Sequence, residues 1–73
     1  MTRNIPNYER IALTVLKHGE VCRTPYVTSF SLNGWLLQTR REGLLMRRPF
    51  DRQRVVWPWS AHFAQAIASV ING

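Results

Sequence analysis

The sequence predicts an α+β domain whose elements run helix, short weak element, helix, β-hairpin, helix. Three observations predict it. Apolar residues recur at helical spacing in three stretches, 5–18, 31–42 and 60–71. Two short runs, LLMR over 44–47 and RVVW over 54–57, bracket a turn-forming segment. The chain has 73 residues, enough for one domain with one modest core.

The first helix is expected over 5–18, IPNYERIALTVLKH. Asn4 can cap it, and Pro6 fits a first turn. Tyr8, Ile11, Ala12, Val15 and Leu16 fall on one face. Lys17 and His18 suit its last turn, and Gly19 suits a left-handed position after it. The weak element spans 24–30. Val21 and Cys22 fit a short strand before it. Thr24-Pro25 fits a helix start, but the β-branched residues keep any helix here short.

The second full helix is expected over 31–42, SLNGWLLQTRRE. Ser31 is its cap. Leu32, Trp35, Leu36 and Thr39 form its apolar face, while Asn33, Gly34, Leu37, Gln38 and Arg41 point away. Gly34 costs such a helix about 1 kcal/mol against alanine, which a close neighbour would explain. Gly43 stops it. The hairpin then spans 44–57, with Pro49 and Asp51 in its loop. If Val55 points inward, Arg54 and Val56 point outward. Pro58 closes the second strand, and Ser60 caps a last helix over 60–71. Its stripe is Phe63, Ala66, Ile67, Val70 and Ile71. Trp35 is assigned to the core. Trp57 and Trp59 either tie the hairpin to the last helix or stack on bases.

Charge carries the functional signal. Ten Lys+Arg stand against four Asp+Glu, a formal charge of +6, and nine of the ten bases are arginine. Arginine suits forked recognition of phosphate and guanine. The charge is uneven: positions 40–54 hold six arginines against Glu42 and Asp51. Such a balance suggests a polyanionic partner, nucleic acid before membrane. The single cysteine, Cys22, forms no internal disulfide and fits a reducing cytosol. No run approaches the roughly 18 apolar residues of a membrane span, and MTRNIPNYERIA is not expected to be a signal peptide. The expected location is cytoplasmic, nucleoid-associated when bound.

The stretch LLQTRREGLLMRRPFDRQRVVWPW, with ALTVLKHGEV before it, resembles the winged helix-turn-helix superfamily of DNA-binding domains. Leu36, Leu37, Gly43, Leu44 and Leu45 match its helix-to-wing step. Arg47 to Arg54 match its wing, and Val55 to Trp57 the return strand. The likeness spans roughly residues 7 to 58. In size the chain is similar to small regulators of phages and other mobile elements. The segment 24–30 departs from the pattern, being short for the usual second helix. The resemblance implies three N-terminal helices (the second short), a two-stranded β-hairpin wing and a C-terminal helix.

It also implies sequence-selective binding of double-stranded DNA by a small transcriptional or recombination regulator. Residues 31–42 would be the recognition helix in the major groove. Asn33, Gln38 and Arg41 would face base edges, Ser31 a phosphate, and Gly34 would permit close approach. Arg47, Arg48, Arg52 and Arg54, joined by Arg40, would lie on phosphates or in a minor groove. The bland reading is a solvated helix face and a charged edge that resists aggregation. The C-terminal helix either closes the core or pairs with a second copy. Two other partners fit the composition, an acidic protein surface and RNA. His18, His62, Cys22 and the four scattered acids form no catalytic or metal-ligating spacing. No enzyme activity, cofactor, metal, small-molecule substrate or membrane is expected.

Overall fold

In the computed structural model, which describes residues 7–73, helix α1 (Tyr8–His18) leads into five strands and a second helix. The strands are β1 (Glu20–Arg23), β2 (Thr28–Leu32), β3 (Trp35–Thr39), β4 (Gly43–Arg48) and β5 (Gln53–Pro58), followed by α2 (His62–Asn72). They form one antiparallel sheet in the order β1-β2-β3-β4-β5. The domain is therefore α+β, but it is not a winged helix. The expected helix over 31–42 does not exist, and the hairpin is the far side of a five-stranded sheet rather than a two-stranded wing.

The physical reason lies at Asn33-Gly34. Both residues have positive φ, 51° and 85°. They make the two-residue turn that matches the twist of a hairpin, for which Asn-Gly is the strongest short-range signal. Around that turn the apolar pattern has period two: Phe30 and Leu32 before it, Trp35 and Leu37 after it. Leu32 and Trp35 satisfy a helical face and a strand pattern equally well. Leu37 decides between them, since the helix wheel points it outward and the structure buries it completely. Gly34 therefore serves a turn, not a ligand's approach to a helix.

The weak element 24–30 resolves into a turn and the start of β2. The Thr24 hydroxyl accepts from the backbone N–H of Val27 at 3.0 Å, as a helix cap would. The backbone N–H of Thr24 donates back to the Val27 carbonyl at 2.9 Å, closing a turn instead. Thr-Pro serves either structure.

The helices differ from expectation at their ends. Asn4 and Pro6 lie outside the described residues. Asn7 caps α1, its side chain accepting from the Arg10 N–H at 3.0 Å. Gly19 ends α1 in an extended conformation rather than a left-handed one. Helix α2 starts after Ala61, without a side-chain cap, so Ser60 does not cap it. Its buried residues are Ala64 and Ile67, with Phe63 and Ile71 beside them, while Ala66 and Val70 lie outside the seam.

Both helices cover one face of the sheet, α1 over β2 and β3 and α2 over β5. Residues paired across strands share a face. The row Phe30–Leu37–Met46–Val55 points at the helices, as do the pairs Leu32–Trp35 and Leu44–Trp57. The core joins these to Ala12, Val15, Ala64 and Ile67. Trp57 packs on Phe63 with ring centroids 4.9 Å apart, and the Trp59 indole N–H donates to the Arg40 carbonyl at 2.8 Å. The two tryptophans thus tie the sheet to its second helix and its β3–β4 turn. Leu37→Ala removes a fully buried side chain from the middle of this core. We expect a loss of about 3 kcal/mol in urea unfolding, where an outward Leu37 would give almost none.

Candidate nucleic-acid interface

Among the described residues, the other face of the sheet carries no helix. Alternation along each strand sends two rows there: Ser31–Leu36–Arg47–Arg54 and Cys22–Ser29–Gln38–Leu45–Val56. Leu45 is buried but lies outside the core cluster, because its neighbours on this open face cover it. Val55 does point toward the helices, and Arg54 and Val56 are exposed on the open side. Cys22 is an exposed thiol on an edge strand, not a core residue.

Arg47 and Arg54 are direct cross-strand partners. Such a pair sets its β-carbons about 5 Å apart, and like charges so placed are destabilising. With Arg40 and Glu42 they line a cavity of about 240 Å³, together with Gly43, Leu45 and Val56. A second hollow, of about 320 Å³, shares Arg47 and Arg54 and adds Arg52 at the hairpin tip. The arginines therefore form a track along β4 and β5. Five residues of strand reach about 17 Å, alongside about five phosphates of one DNA strand.

No carboxylate among the described residues lies within salt-bridge distance of Arg40, Arg41, Arg47, Arg52 or Arg54. Arg48 is the exception. It sits on the helix side of the sheet, paired with Gln53. Its Nε donates to Asp51 Oδ1 at 2.9 Å, its Nη2 donates to Oδ2, and the guanidinium lies 4.6 Å from the Trp35 ring centre. These bonds push the arginine's pKa up and hold the Asp51 carboxyl below its ordinary value. Together they brace the β4–β5 loop, in which Arg52 takes a left-handed φ of 62°.

The sign of the pH effect follows from Asp51. A carboxyl depressed in the folded state adds stability above its unfolded pKa, and that contribution is lost as pH falls through the folded value. We expect Asp51→Asn to lower the thermal midpoint at neutral pH, and the difference from wild type to vanish as the pH falls below the carboxyl's depressed folded value. Thermal melts across pH check this.

The residues named from the sequence are thus divided. Arg40, Arg47, Arg52 and Arg54 converge on the open face and the hairpin tip. Ser31 and Gln38 share that face, but the Gln38 amide donates to the Ser29 hydroxyl at 3.4 Å and its Oε1 is buried without a partner. Asn33 and Gly34 form the β2–β3 turn, and Arg41 lies between Arg40 and Glu42 in the β3–β4 turn without lining either hollow. The helical reading put Leu36 on the apolar face of a helix, whereas it lies on the open face of the sheet, as Leu45 and Val56 do. Period-two alternation outward from Asn33-Gly34 is the signal that finds it.

Comparison with protein-family models, curated proteins and solved structures finds no match.

Among the described residues, no helix is long and apolar enough to cross a membrane.

Proposed function

We propose that this domain binds double-stranded DNA through the open face of β4 and β5. The observation that supports it is the opposed Arg47–Arg54 pair, joined by Arg40 and without a carboxylate ion-pair partner. An arrangement that costs the free protein stability is accounted for by an anionic ligand. The major groove admits a two-stranded ribbon as well as a helix. Here the ribbon takes the place of a recognition helix. Arg47 and Arg54 suit phosphate or guanine, and Val56 suits a thymine methyl. Single-strand binders stack bases on aromatics, whereas neither row of the open face carries one: Phe30, Trp35 and Trp57 turn toward the helices, and Tyr26 and Phe50 are exposed in loops beside the sheet. Duplex RNA hides its major groove from side chains. Site-selective binding of this kind fits a small regulator of transcription or recombination.

Titration of the full chain into a labelled random DNA duplex across a salt series tests the reading. We expect affinity to fall steeply with salt, with a log–log slope of about −3 for three or four phosphates neutralised. No binding at low salt by the folded chain would falsify it. A second reading, an acidic protein surface, is favoured by Phe50, which is 94% exposed at the tip of the arginine hairpin.

A further inference from the structure

Among the described residues, the layer on the helix side of the sheet leaves β1 uncovered. Helix α1 lies over β2 and β3, and α2 packs on β5, with Phe63 against Trp57. Every residue of β1 is exposed, Val21 by 51%. Val21 is the cross-strand partner of Phe30 and shares its face. Beside that face runs a groove of about 450 Å³, lined by Leu13 and Leu16 of α1, Phe30 of β2, and Val70 and Ile71 of α2. Leu13 is 48% and Val70 65% exposed. Single exposed apolar side chains are ordinary, but Leu13 and Val70 share one groove, and Val21 lies on the same face of the neighbouring strand.

Charge identifies the occupant. The remaining lining residues are Lys17 and Arg23, both cationic. The acids lie elsewhere. Glu9 is in the first turn of α1, Glu20 pairs with Ser31 of the open-face row, and Glu42 and Asp51 are in distant turns. A second copy would bring its own Lys17 and Arg23 to the same rim.

We infer that this groove docks an acidic amphipathic helix of another protein. Its apolar residues, spaced i, i+3 or i+4 and i+7, would enter between Leu13 and Val70. Its flanking carboxylates would meet Lys17 and Arg23. The docked helix completes the layer over β1. The inference is independent of the DNA reading, since it uses the opposite face.

The test uses a synthetic helical peptide of about 14 residues, with leucine at the anchor spacing and glutamate elsewhere, and a twin with lysine for glutamate. Each is titrated into the isotope-labelled full chain and followed by amide chemical shifts. We expect the acidic peptide alone to move the amides of the second half of α1, β1 and the last turn of α2. A Lys17→Glu/Arg23→Glu variant and a Val70→Glu variant should each weaken it about tenfold or more. These three side chains are exposed, so the fold survives, and the unliganded spectra verify it. Four results overturn the inference: no shifts, equal binding of the lysine twin, shifts confined to β4 and β5, or a sedimenting dimer that Val70→Glu dissociates. The last assigns the groove to a second copy.

Discussion

Gly43→Ala should cost this domain about 3 kcal/mol or more, most of what a chain of this size commonly has. Gly43 opens β4 with a φ of 157° and pairs with Pro58. A β-carbon there would lie 2.1 Å from the Trp57 carbonyl oxygen and 2.9 Å from the Pro58 α-carbon. Both neighbours are backbone, so no rotamer change relieves the contact. Strand β5 has to move, and with it Trp57, whose ring packs on Phe63. Gly34→Ala is the control. Its nearest neighbour is a flexible carbon of Arg48 at 3.9 Å, so only the positive φ of 85° is strained, at a cost of about 1 kcal/mol. Urea unfolding followed by tryptophan fluorescence separates the two. Equal losses would show that β5 yields freely and that Gly43 is needed only for its backbone conformation.

Arg47→Gln with Arg54→Gln should weaken duplex binding about a hundredfold, from two lost charge-assisted contacts. The salt slope should fall by about two. The same variant should melt higher than wild type in low salt, by about 2 °C, because a like-charge cross-strand pair is relieved. Opposite signs for binding and stability mark residues placed for a ligand. If both fall, the arginines support the fold; if affinity holds, the open face is not the interface. Arg48→Gln is a useful contrast. Its guanidinium is held by Asp51 over Trp35, so this change should lower stability more than affinity.

The separate elements were unequally legible. The 3.6-residue stripe of Tyr8, Ile11, Ala12, Val15 and Leu16 marks α1, and all five residues meet the core. The runs around Pro49 and Asp51 mark the β4–β5 hairpin, and strand alternation puts Arg54 and Val56 on one side. The stretch 28–39 misleads, because Leu32 and Trp35 sit at a spacing that both periods allow. Asn33-Gly34 breaks the tie locally, because its positive-φ turn joins β2 to β3 where a recognition helix is expected. Thr24-Pro25 misleads similarly, since a threonine hydroxyl caps a helix and closes a turn with the same bond.

What residue order alone determined is local: an amphipathic helix at each end, an arginine-rich hairpin and a strongly basic surface. These follow from periodicity, turn chemistry and charge, which act between residues near in sequence. Only the tertiary structure decided that β1 to β5 form one sheet with both helices on one side. That arrangement pairs Arg47 with Arg54, brings Arg40 to them, and removes Arg48 to Asp51 and Trp35. The reason is burial. Phe30, Leu37 and Met46 come from three strands and leave water only when those strands lie side by side. Once they face the helices, alternation leaves the arginines on the open face.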